Sequence, residues 1–144
     1  MNRLRLIVTC ALMCLSTTSF AHEGAKGVVK ERMDRFKENK EAMKTIKGNL
    51  SGDADVIAQK ASEVEAWANE MVNFFPEGSN QAPSEALPVI WKEFDRFTEL
   101  ANANAKAAAN LKTLAQSGAD TNTLINGFKA LGKTCKDCHN DFKE

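Results

Sequence analysis

The sequence predicts an all-α fold, an antiparallel four-helix bundle, on three observations. The 144 residues include no tyrosine and only three prolines, and they are rich in alanine, lysine, glutamate and asparagine, the first three of which are strong helix formers. Apolar residues recur at spacings of three, four and seven, the period of one helix face. The segments so marked are separated by short turn-rich breaks, which favours antiparallel neighbours in a helical chain.

The first helix is expected from about 25 to 47, with Val29, Met33, Phe36, Met43 and Ile46 on its apolar stripe and Gly48 as its stop. The second is expected from Asp53 to Phe75, carrying Val56, Ile57, Val64, Trp67, Met71 and Phe74. Pro76-Glu77-Gly78-Ser79-Asn80 breaks it. The third is expected to start at Ser84 as N-cap, to carry Pro88 in its first turns, and to end at Ser117-Gly118. Its inner face reads Leu87, Ile90, Trp91, Phe94, Phe97, Ala101, Ala108, Leu111 and Leu114, and the alanine-rich stretch 101–109 allows close helix contact. The fourth is expected from Thr121 to Phe142, with Leu124, Ile125, Phe128, Leu131, Cys135, Cys138, His139 and Phe142 on one side. The link 76–83 is the longest and is expected to wrap an edge of the bundle.

Residues 1–21 are read apart from this fold. Arg3 and Arg5 precede an apolar run from Leu4 to Leu15, and Ser19 and Ala21 stand at −3 and −1 of a cleavage site before His22. That is the pattern of a cleaved signal peptide, and the run is too short to span a bilayer. The remaining 123 residues, 22–144, suit one domain. The leader removes two arginines and no acids, which leaves 17 basic and 19 acidic residues, net −2. No nucleic-acid affinity is implied by that balance. Cys10 and Cys14 also leave with the signal, so the mature chain has two cysteines. Its export implies the periplasm. His22 becomes the first mature residue, where its imidazole and free amine offer a copper chelate or simply a polar terminus.

Both remaining cysteines lie in Cys135-Lys136-Asp137-Cys138-His139, the C-x-x-C-H attachment motif of a c-type haem. Cysteines at i and i+3 share a helix face and reach two vinyl groups along one haem edge. A histidine at i+4 follows on that face as an axial iron ligand. A disulfide across so short a loop would stabilise little, and zinc would need a fourth ligand from His22 or a carboxylate. Haem accounts for the histidine as well as the two thiols.

With the motif at the end of a helical bundle, the chain resembles the cytochrome c-prime and cytochrome c-556 family of monohaem cytochromes. Three blocks carry the resemblance: Val28-Val29-Lys30-Glu31-Arg32-Met33-Asp34; Phe74-Phe75-Pro76-Glu77-Gly78-Ser79 with Ala86-Leu87-Pro88-Val89-Ile90-Trp91; and Cys135 to Lys143. It implies one haem c per chain, with thioethers at Cys135 and Cys138 and His139 as the proximal ligand. It places Arg32 at the haem propionates, a role suited to a planar bidentate fork; the alternative is an ordinary arginine on an amphipathic helix. It gives Lys143, four residues after His139, a part in tuning the iron, the alternative being a frayed, exposed terminus.

Low-spin members of the family place a methionine sixth ligand four residues after that arginine. Here the position is Phe36, which cannot coordinate iron. The resemblance is therefore to the c-prime branch, with a five-coordinate haem and Phe36 over its distal face. Met33 is the rival distal ligand; Met43 lies two turns beyond Phe36. A five-coordinate iron behind an apolar guard suits nitric oxide or carbon monoxide, whereas a His/Met iron suits an electron carrier. The expectations are thus redox electron transfer with a periplasmic partner, or nitric oxide and carbon monoxide binding, rather than enzymatic turnover. A peroxidase-like reading lacks an acid–base group beside Phe36. Lys129, Lys133, Lys136 and Lys143 surround the haem-bearing end and either steer an acidic partner or form a solvated face. By the same resemblance the first helix serves a homodimer.

Overall fold

The computed structural model describes residues 24–144, so the expected signal peptide, its expected cleavage site and His22 lie outside the described residues. The elements are α1 (Gly27–Asn49), α2 (Ala54–Glu70), a 3-10 turn (Met71–Phe74), the short α3 (Val89–Lys92), α4 (Phe94–Gln116) and α5 (Thr121–Phe142). The four long helices form a four-helix bundle, as the apolar periodicity required. Among the described residues the only β pairing is an isolated antiparallel bridge between Ala86 and Lys143.

Capping fixes the ends at the far side of the bundle. Asp53 accepts from the Asp55 and Val56 amides at 2.9 and 3.3 Å, and Asp120 from the Asn122 and Thr123 amides at 2.9 and 3.1 Å. Each satisfies donors that a first helical turn leaves unpaired. At the close of α4, Gly118 takes φ +69 while Gly118 N–H and Ala119 N–H both reach back 3.1 Å to the Ala115 and Leu114 carbonyls. This double closure needs a left-handed residue, which glycine adopts without steric cost.

The third helix departs from expectation. Ser84 is no N-cap: its hydroxyl accepts from Ala86 N–H at 3.1 Å and from Arg32, and helix begins only at Val89. Pro88 explains the late start, since proline disfavours helical geometry in the residue before it. The helix then breaks at Glu93 (φ −122, ψ 41) before resuming as α4. That break leaves Phe94, expected on the inner face, 37% exposed. Gly48 does not stop α1, which runs on to Asn49, and α2 yields to 3-10 geometry at Met71.

Close helix seams run α1 to α2, α2 to α4 and α4 to α5; α1 and α5 form none. Small residues make the central seam tight: Ala58, Ala61 and Ala68 on α2 and Ala101, Ala105, Ala108 and Ala115 on α4 are all buried. The core has two characters. Toward the capped end it is aliphatic, built on Ile46, Ile57, Val64, Leu111 and Leu131. Toward the other end it is aromatic, with Phe75, Phe97 and Phe142 buried beside Ile90 and Leu100, and Phe36 and Cys138 packed against them.

Candidate functional site

The aromatic end is where the sequence motif comes to rest. Helix periodicity turns Leu124, Leu131 and Phe142 of α5 inward. Cys135 and Cys138 stand on the same side and are half-buried. Both are free thiols. Burial pushes the Cys135 thiol up, with a hydrogen bond from Asn104 pulling the other way. Burial, then the neighbouring Cys135 and Asp141, push Cys138 up to about 11. Burial thus disfavours the thiolate form at both sulfurs. Among the described residues no three His, Cys, Asp or Glu side chains gather as a metal site.

His139 follows one residue on and is exposed. Loss of water around the ring, and then the charge of Lys143, hold its imidazole below the ordinary value, while Glu85 acts in the opposite sense. The Lys143 ammonium lies 2.6 Å from the Glu85 carboxylate.

Across from α5, the α1 face presents Arg32 and Phe36 one turn apart. The ring of Phe36 meets Trp67 edge-on at 5.2 Å and Phe75 at 6.4 Å between centroids. Phe36 thus borders two core clusters, one of which Cys138 also borders. Met33 is half-buried and belongs to neither; Met43 packs at the aliphatic end. Of the two candidate distal residues, Phe36 is the one brought to the cysteine-bearing cluster.

Arg32 is 2% exposed. Its guanidinium donates to Phe74 O at 3.2 Å, Ser79 Oγ at 2.7 Å, Ser84 Oγ at 2.6 Å and to Ser79 O. It also lies over the Phe75 ring at 4.5 Å. Desolvation lowers its pKa. The fork expected to meet a carboxylate here gathers the link 74–84 around itself, so Arg32 is no solvated surface residue.

Neither motif nor stripe marks Asn104 or Glu85, while Ser79 stands in the sequence only as part of a turn-rich block and Ser84 only as an N-cap. Asn104, 6% exposed, donates from Nδ2 to Thr134 Oγ1 at 2.8 Å and to Cys135 Sγ at 3.4 Å. A signal existed: Asn104 falls on the face marked by Phe97, Ala101, Ala108 and Leu111, a polar residue in a buried register. The lysine cluster is exposed, but Lys133 pairs with Asp137 at 2.6 Å and Lys143 with Glu85, which weakens it as a uniform positive field.

These residues fit the prosthetic group that C-x-x-C-H implies. Two thiols share one helix face, a histidine follows, an aromatic cluster packs against Cys138, and α5, which carries the motif, forms no close seam with α1, which carries Phe36.

Comparison with known proteins agrees. The family model described as Cytochrome C' matches residues 27–143. A cytochrome c' of Rhodospirillum rubrum is 33% identical over 144 residues, covering 96% of this chain and 97% of that one. A cytochrome c' of Pararhodospirillum photometricum is 35% identical over 120 residues, covering 81% and 95%. Among solved structures, the cytochrome c' from Rhodopseudomonas palustris superposes with a TM-score of 0.75 at 25% identity, covering 83% of this chain and 98% of that one.

Proposed function

The chain belongs to the cytochrome c' family, and from that premise we propose that it is an exported haem protein of electron transfer with one guarded coordination position. Its cofactor is haem c, which supplies when bound an iron that changes oxidation state and has two axial positions. Cys135 and Cys138 would hold the group covalently and His139 would supply the proximal nitrogen. Phe36 would cover the distal side and exclude water and bulky ligands. No helix among the described residues is long and apolar enough to cross a membrane; the leader at 1–21 supports a periplasmic location.

The observation that carries this reading is the position of Phe36 in the aromatic cluster that Cys138 borders. Arg32 supports it. Bringing Met33 to the same place would require α1 to turn about its axis, since neighbouring helix positions differ by about 100°. That rotation would pull Arg32 away from Ser79 and Ser84, which it holds at 2.7 and 2.6 Å. A low-spin carrier with Met33 as sixth ligand is the competing assignment, and it conflicts with those bonds. Arg32 would reach a propionate by exchanging one serine hydroxyl for the carboxylate.

A second reading, nitric oxide or carbon monoxide binding, is favoured by the apolar setting of Phe36 against Trp67 and Phe75. The terminal nitrogens of Arg32 are committed to the link, and His139 is the only histidine among the described residues. Neither a free guanidinium nor a second imidazole is there to donate to a bound diatomic, which suits these gases better than oxygen; the indole N–H of Trp67, beside Phe36, is the one buried side-chain donor without a protein partner among the described residues. The same lack of an acid–base group argues for a carrier or binder rather than a catalyst. The α1 homodimer belongs to the same proposal and is checked by sedimentation.

The visible spectrum of the reduced protein, with and without carbon monoxide, tests the assignment. A broad high-spin band that shifts with the gas is expected. A sharp low-spin band indifferent to the gas would replace Phe36 by Met33 in the distal role. An alkaline pyridine spectrum without the c-type signature would remove the haem altogether.

A further inference from the structure

The end of α5 is pinned to the middle of the chain. Leu87 N–H donates to Phe142 O and Glu144 N–H to Glu85 O, both at 3.0 Å, around the Ala86–Lys143 bridge. A side-chain contact overlies this backbone clip: Lys143 Nζ stands 2.6 Å from Glu85 Oε2. Lys143 lies one helical turn past His139, and its N–H donates to the His139 carbonyl at 3.1 Å. Packing does not demand an acid at position 85, because the Glu85 side chain is 61% exposed and belongs to none of the core clusters. An ion pair so exposed adds little to stability. Its consequence lies in where it holds a charge.

Resting on the haem reading above, we propose that Glu85 is a positioning residue for the proximal side of the haem site: its carboxylate fixes the Lys143 ammonium beside His139 and offsets its charge there. Without Glu85, the ammonium would keep only its hydrogen bond to the Glu144 carbonyl, at 3.0 Å, and its charge would act unopposed. With Glu85, the imidazole faces a compact dipole. A lone cation near the iron favours the reduced, less positive state, and a lone anion favours the oxidised one.

The test is the midpoint potential of the haem-loaded protein by spectroelectrochemistry, for wild type, Glu85→Gln, Lys143→Gln and the double variant, at low and high salt. Glu85→Gln is expected to raise the potential, Lys143→Gln to lower it, and the double variant to return near wild type. Both single shifts should shrink at high salt, since exposed charges are screened. A purely structural clip predicts something else, because either single change breaks the same ion pair. Shifts of the same sign in both variants, or no shift in either, would overturn the proposal. If Glu85→Gln loads haem poorly, the exchanged pair Glu85→Lys with Lys143→Glu keeps the contact and reverses its polarity. A potential indistinguishable from wild type in that pair would overturn the proposal as well. A wild-type protein with no c-type pyridine spectrum would instead overturn the haem reading on which this rests.

Discussion

Replacing Arg32 with methionine tests how the long link is held against the bundle. The guanidinium makes four hydrogen bonds, to Phe74 O, Ser79 Oγ, Ser79 O and Ser84 Oγ, and covers the Phe75 ring. A hydrogen bond from a charged group contributes about 1.5–3 kcal/mol. Four such bonds on one side chain are not additive, and desolvating the charge offsets part of their sum. A buried neutral acceptor left unpaired costs about 1–3 kcal/mol, and the two serine hydroxyls can turn to other partners. Methionine keeps much of the stem's packing, so the net loss is about 3 kcal/mol. With a urea slope of about 1–3 kcal/mol/M, the midpoint should fall by roughly 1–3 M. Arg32→Lys should recover little, since an ammonium cannot fork toward two hydroxyls and two carbonyls. The assay is urea unfolding of the haem-loaded protein, followed by circular dichroism and by the visible band. A loss below about 1 kcal/mol, the range of an exposed ion pair, would refute the reasoning.

Other perturbations probe the remaining elements. Phe36→Met should drive the iron toward low spin and suppress carbon monoxide binding; an unchanged spectrum would place the distal site elsewhere on α1. A Cβ added at Gly127 would meet Leu114 Cδ1 at 3.0 Å and Leu111 Cδ1 at 3.2 Å. Gly127→Ala should therefore cost stability on balance, overcrowding of about 1–3 kcal/mol outweighing a propensity gain of about 1 kcal/mol; a raised melting temperature would mean that the leucine tips move aside. Leu131, fully buried in the aliphatic core, should lose about 2–5 kcal/mol as alanine in denaturant titration. The Thr123 hydroxyl, followed by its amide, lowers the Asp120 carboxyl pKa. A depressed folded pKa means that the stabilisation is present above the unfolded value and lost as pH falls through the folded one. Asp120→Asn should keep a cap acceptor and flatten that part of the acid limb in a melting-temperature series; an unaltered limb would show that the cap charge contributes nothing.

Much of this arrangement was legible in the sequence because it is local. Stripes such as Val56, Ile57, Val64 and Trp67 fix a helix face by spacing alone, and C-x-x-C-H states its chemistry in five residues. Failures came where a residue's partner lies far along the chain. Ser84 has the form of an N-cap, but Arg32, 52 positions earlier, takes its hydroxyl into the link. Phe94 fits the inner stripe only if the helix is continuous, and the break at Glu93 turns it outward. Asn104 looks like one more helix polar residue until α5 lays Thr134 and Cys135 against it. Periodicity reports which side of a helix is buried; it does not report what a buried polar group will meet.

The clip between 85–87 and 142–144 also sets an order of events. A chain delivered from its N-terminus can assemble α1, α2 and α4 before the final residues arrive, and early segments tend to fold first. Leu87 N–H and Glu85 O must wait for Phe142 and Glu144. The two thiols reach the bundle with the same late segment that closes over them. On the haem reading proposed above, attachment at these cysteines and closure of the clip thereby draw on the same segment.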